Sequence, residues 1–178
     1  QYYNDQELDM DMSSKKGVVI TVAILVAITM ASFSVWIVNN SGNTEMTIVV
    51  TDFKNHQEGI SERHKIILNA VEDSFSELIN KKISTDEYVR IAEVSSSQNN
   101  ALLMELAYSD APEEWQESYI NQIASLKSFE AYIIETMVMA NLISNDGEME
   151  QRTEILNNIE KLKEESTQYA KMANSSKP

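Results

Sequence analysis

The sequence predicts an all-α protein: one N-terminal transmembrane helix followed by an antiparallel helical bundle of about four helices. Three observations carry this expectation. Glycine (4) and proline (2) are scarce among 178 residues, and sheets need the turns that recruit those residues. Residues 17–38, GVVITVAILVAITMASFSVWIV, run for 22 positions without a charge. Beyond residue 45, apolar side chains recur at spacings of three and four, punctuated by helix-capping motifs.

As a helix the uncharged run reaches roughly 33 Å, enough for a ~30 Å hydrocarbon core. It is longer than the ~7–15-residue apolar stretch of a cleaved signal, so it is read as a retained anchor. Trp36 stands at its far end, at headgroup level. Lys15 and Lys16 precede the run, and only Lys54 follows it closely. Positive-inside counting therefore places the N-terminus in the cytoplasm; Asp5, Glu7, Asp9 and Asp11 count little in this rule. The expected organisation is a cytoplasmic tail (1–16), a transmembrane helix (17–38), a linker of turn residues (39–44) and an extracytoplasmic helical bundle (45–178) of a single-pass protein of the cell membrane. The glycosylation sequons at Asn39 and Asn174 agree with that side.

Within the bundle, Met46, Val49, Phe53, His56, Ile60, His64, Ile67, Val71, Ser74 and Leu78 form one stripe. The β-branched run at residues 47–51 also fits a short strand. The unbroken phase favours one long helix over about 45–82, with Lys81 and Lys82 at its C-terminal end. Ser84-Thr85-Asp86-Glu87 has the form of a capping box and opens the second helix, with Tyr88, Ile91, Ser95, Gln98, Leu102 and Leu106 facing inward. Asp110-Ala111-Pro112-Glu113 opens the third, with Asp110 as cap and Pro112 in the first turn. Its inner face is Trp115, Tyr119, Ile123, Leu126, Ile133, Met137 and Ala140. After a turn at residues 144–147, Ile155, Ile159, Leu162, Ser166, Tyr169 and Ala173 follow a strict 4-3 alternation. Loops of two to four residues make an up-down antiparallel bundle the simplest packing.

The chain has no cysteine, which excludes disulfides, thiolate metal sites and a cysteine nucleophile. A net charge of −14 opposes nucleic acid as a partner; residues 39–178 hold 24 acids against 12 bases. A di-iron bundle needs Glu-x-x-His on two helices, but Phe53 and Ser61 stand three before His56 and His64. The two histidines read as partly buried helix residues, and the nine methionines as core packing. A nucleophile elbow and a glycine-rich phosphate loop are missing. The residues therefore predict no catalytic, cofactor-binding or metal site and no enzyme. Ser95-Ser96-Ser97-Gln98-Asn99-Asn100 is polar where core is expected; it reads as a weak, closely packed helix segment or a break, or else as a polar pocket or a face docked against a partner protein. With Ala23, Ala27 and Ala31, which lie four apart on one face of the anchor, Ser95, Gln98 and Asn99 are the candidate partner contacts.

Lys15-Lys16-Gly17 before an apolar helix, then a glycine-poor bundle containing Ala111-Pro112-Glu113-Glu114-Trp115, resembles small membrane-anchored helical proteins of ammonia-oxidising archaea. The resemblance rests on general character over the whole chain. It implies an accessory subunit of archaeal ammonia monooxygenase, whose catalytic copper lies in other subunits, and no functional residue carries over. The Lys-Lys-Gly sequence also resembles the processing site of archaeal pilin-like proteins, although the usual acidic residue just inside the mature helix is missing. The leading functional expectation is a non-catalytic subunit whose partners are membrane proteins and the bilayer. The alternative is an extracytoplasmic ligand-binding sensor acting through a partner, because no second span follows residue 38.

Overall fold

Side-chain hydrogen bonds between helices fix the topology before any overall shape is considered. The computed structural model describes residues 48–145 and 148–178, and they form four helices: α1 (Phe53–Ile79), α2 (Thr85–Ala107), α3 (Glu113–Ser144) and α4 (Met149–Ser175). On α3, Ser118 bonds the carbonyl of Ala173 and Ser125 that of Ser166. Seven residues forward on one helix are thus seven back on the other, so α3 and α4 are antiparallel. Tyr88 to Thr136 and Asn99 to Leu126 give the same result for α2 and α3. Gln57 to Ser118 and Ser61 to Gln122 make α1 and α3 parallel. The helices run up, down, up, down, and α3 packs against all three others. Among the described residues there is no strand.

The predicted tail, transmembrane helix and linker, with Ala23, Ala27 and Ala31, lie outside the described residues. Among those described, no helix is long and apolar enough to cross a membrane.

The first helix starts later than its apolar phase suggests. Residues 48–52 are neither helix nor strand, and the Ile48 N–H donates to the Tyr108 carbonyl at 2.7 Å. β-branched residues lose side-chain freedom in a helix. Asp52, just after them, accepts from the Asn55 N–H at 2.9 Å and caps α1 there. Its C-terminal end also differs from expectation. Asn80 closes the helix, its side-chain amide donating a hydrogen bond to the Ser76 carbonyl, and Lys81 turns left-handed at φ 58. The Lys81-Lys82 pair forms the turn, not the last helical turn.

In α2 the predicted cap is present: Ser84 Oγ accepts from the Glu87 N–H at 3.2 Å. Tyr88, Ser95, Leu102 and Leu106 are buried as expected, but Ala92 and Asn99 complete the face while Ile91 and Gln98 sit at its edge. The stripe is rotated by one residue because the Asn99 amide finds acceptors on α3, so a polar side chain is tolerated at the centre.

Asp110 is not the cap of α3. Pro112 is, without a side-chain bond, and Asp110 lies in the left-handed region at φ 45. A proline disfavours helical backbone at the residue before it, so the helix cannot begin upstream of Pro112. Tyr119, Leu126, Ile133 and Ala140 are buried as predicted, joined by Phe129, Tyr132 and Met139. Ile123 and Met137 are only half-buried. The α4 stripe follows its predicted spacing, with Ile159, Ser166 and Ala173 buried and Ile155, Leu162 and Tyr169 half-buried. The connections span residues 80–84, 108–112 and 145–148. Two are therefore one residue longer than expected.

Candidate functional site

Polar residues are concentrated inside this bundle, on the α3 faces toward α1 and α4. Ser118, Gln122 and Ser125 recur at helical spacing and are all buried. The Gln57 amide of α1 donates to Ser118 Oγ at 2.6 Å, and Ser118 Oγ reaches on to the Ala173 carbonyl. Ser61 Oγ contacts Gln122 Oε1 at 3.3 Å. Small hydroxyl residues let helices approach closely while their bonds satisfy the buried groups.

The polar stretch at residues 95–100 is continuous helix rather than a break. Asn99 is 0% exposed; its amide donates to the Leu126 carbonyl at 2.9 Å and to Glu130 Oε2 at 2.9 Å. Ser96 also donates to Glu130. Ser95 is buried and Gln98 half-buried. The stretch joins α2 to α3, and Ser95 and Asn99 are turned into the chain rather than toward its surface.

Two further clusters involve the histidines, which the structure separates. His56 joins α1 to its neighbours: Nδ1 lies 2.8 Å from Tyr119 Oη, and Nε2–H donates to Glu105 Oε1 at 3.1 Å. Arg63 grips the same carboxylate with both terminal nitrogens, at 2.9 and 2.7 Å. Burial pushes the Glu105 carboxyl up, yet the His56 and Arg63 hydrogen bonds and the Arg63 charge outweigh it and hold it at about 2. Burial, and then the Glu105 charge, raises the Tyr119 hydroxyl to about 12. Phe53 and Trp115 pack beside Tyr119, with ring centroids 6.0 and 6.4 Å away. With both carboxylate oxygens occupied, Glu105 is a clasp between α1 and α2.

His64 lies on the opposite flank. Its ring packs on Phe129 at a centroid distance of 4.8 Å. It is 7% exposed, and its Nε2 has no hydrogen-bond partner among the described residues. Burial lowers its pKa to about 4, so the imidazole is neutral near pH 7. It lines a groove of about 570 Å³ between α1 and α4, with Ser61, Lys65 and Leu68 on one wall, Thr167 and Lys171 on the other, and Gln122 of α3. The groove exists because α1 and α4 are the least closely packed neighbours in the bundle. Beyond it, Lys163 Nζ stands 2.8 Å from Glu72 Oε1, near enough to pair though off the hydrogen-bond direction.

The outer side of α3 is the remaining feature. Ile120, Ala124, Lys127, Ala131, Ile134, Val138 and Asn141 follow a 4-3 alternation there. Ile120, Ile134 and Val138 are 64%, 49% and 40% exposed. α3 thus carries apolar residues on its outer face as well as on its inner one. This second stripe was readable in the spacing, but the more strongly apolar inner one beside it set the reading of the helix. His64 was visible as a stripe residue, but its missing partner depends on which helices meet.

Comparison with protein-family models, with curated proteins and with solved structures gives no match for this chain.

Proposed function

We propose that the chain is a non-catalytic, membrane-anchored accessory subunit of a larger membrane protein complex, held by residues 17–38 and recognising a partner helix through the outer face of α3. The supporting observation is the exposed apolar stripe Ile120–Ala124–Ala131–Ile134–Val138 on a helix whose inner face is already occupied. The occupant that fits is a helix of another subunit with apolar residues at matching 4-3 spacing. Lys127 is the one charge on the stripe and has no ion-pair partner among the described residues, so the partner helix presents a carboxylate opposite it. Ala124 and Ala131 flank Lys127 and allow close approach. Ala23, Ala27 and Ala31 of the anchor add a second contact inside the bilayer. Archaeal ammonia monooxygenase, to which the sequence resemblance points, is the complex to examine first.

The test is purification of the full chain from its native membrane in mild detergent, with identification of stoichiometric partners. The original chain is expected to retain them, and Ile134→Glu to lose them without unfolding. Full recovery by Ile134→Glu would remove the α3 face from the reading, and a lone monomer would remove the subunit role. A homodimer lost on the same substitution would assign the stripe to a second copy of the chain.

A further inference from the structure

Two lysines line the α1–α4 groove from opposite walls. The Glu72–Lys163 pair sets the antiparallel register of the two helices. Seven residues back along α1 from Glu72 is Lys65, and eight residues on along α4 from Lys163 is Lys171, so these two lysines stand across from each other. Both line the groove, and neither has an ion-pair partner among the described residues. Glu62, one turn from Lys65, Glu58, two turns from it, and Lys177, just past the end of α4, line the same groove. At the level of Lys163 the chain supplies a carboxylate for the facing lysine. At the level of Lys65 it supplies two ammonium groups.

Beside them is the second irregularity. His64 lines the groove and is 7% exposed, and its Nε2, hidden from solvent, has no hydrogen-bond partner among the described residues. A buried polar atom without a partner is costly, and in native structures each one calls for an explanation such as strain or a bound water or ion. Ser61, Gln122 and Thr167 bring further donors and acceptors to the same wall, while Leu68 and Ala170 supply apolar surface. The volume of about 570 Å³ falls in the range of small-molecule sites.

We propose that this groove binds a small organic carboxylate, its charge held between Lys65 and Lys171 and its body resting on His64 and Gln122. The ligand carboxylate takes the place that Glu72 takes opposite Lys163. His64 in its Nε2–H form donates to an oxygen of the ligand, and Leu68 and Ala170 cover its carbon skeleton. This site lies on the α1–α4 side and does not use the α3 outer face, so it stands independently of the docking reading.

The experiment titrates the full chain in detergent with succinate, glutamate and inorganic phosphate, using sodium chloride at matched ionic strength as control. Binding is read by calorimetry and by the 15N resonance of the His64 imidazole. Succinate or glutamate is expected to saturate, to shift the His64 resonance and to leave that of His56 in place. Lys65→Ala and Lys171→Ala, both at exposed positions, should each weaken the affinity by about tenfold or more, as loss of one charge-assisted bond does. Preference for glutamate over succinate would support the carboxylate site and add Glu58 or Glu62 as the seat of its ammonium group. No response beyond that of sodium chloride, binding unchanged in Lys171→Ala, or phosphate binding as tightly as either carboxylate would overturn the proposal.

Discussion

Ser125 and Ser166 exchange hydrogen bonds across the bundle: each hydroxyl donates to the backbone carbonyl of the other residue, at 2.8 and 2.9 Å. A pair of serines in this arrangement draws α3 and α4 closer than leucines would and fixes their relative register. Ser125→Leu is expected to overpack the interface and cost roughly 2–3 kcal/mol. Ser125→Ala removes one of the two bonds and should cost about 1 kcal/mol. Urea denaturation of the two variants against the original chain checks the order, and a Ser125→Leu variant as stable as the original would contradict close approach at this level.

Acid should weaken the fold in two phases, because two groups favour their deprotonated forms when folded. Burial lowers His64 from 6.5 to about 4. The unfolded chain therefore takes up this proton first, and the stability from neutral His64 is complete above about pH 6.5 and lost as pH falls toward 4. Glu105 is lowered from 4.5 to about 2, so its contribution is complete above about 4.5 and lost toward pH 2. The His64 phase is on the order of 3 kcal/mol, at about 1.4 kcal/mol per unit. Thermal unfolding across this range should show both phases, with His64→Gln removing the upper one. Glu105→Gln should be less stable than the original near pH 7, because Arg63 loses its counter-charge. That difference should shrink as the pH approaches 2.

Gly59 is a helix-interior glycine without a structural need. It lies within α1, its backbone is not left-handed, and nothing stands within 4 Å of where a Cβ would be. Gly59→Ala should therefore stabilise the domain by roughly 0.5–1 kcal/mol through helix propensity alone. The change is read as a rise in the denaturation midpoint with unchanged slope.

The helices that were legible in the sequence are those whose periodicity and caps agree. Ser84 before Thr85, and the 4-3 alternation of Ile159, Ser166 and Ala173, led directly to the observed elements. Periodicity failed where local backbone chemistry opposed it, at residues 48–51 before Asp52 and at Asp110 before Pro112. The candidate sites were less legible for a different reason. The Glu105 clasp joins residues 49 and 42 positions apart, and the groove at His64 depends on α1 and α4 meeting loosely. Neither separation nor looseness leaves a local signal. The polar run at residues 95–100 was conspicuous in the sequence, but only the α3 carbonyls and Glu130 explain it.

Two adjacent isoleucines on α3 separate the role of the core from that of the outer face. Ile133 is 0% exposed and Ile134 is 49% exposed, so the same substitution at each probes opposite sides of one helix turn. Ile133→Asp places a carboxylate among apolar neighbours and leaves a cavity, with a cost of roughly 4 kcal/mol or more, enough to unfold a domain of this size. Ile134→Asp faces water in the isolated chain and should change stability by about 0.5 kcal/mol or less. In the complex proposed above, the same side chain would meet an apolar partner helix, where an unpaired carboxylate is costly. The measurement compares circular dichroism melting of each variant alone with its recovery of partners from the native membrane. A strong loss of stability in isolated Ile134→Asp would mean that the outer face already packs against a segment of its own chain. A folded Ile134→Asp that has lost its partners would place recognition on the outer stripe of α3.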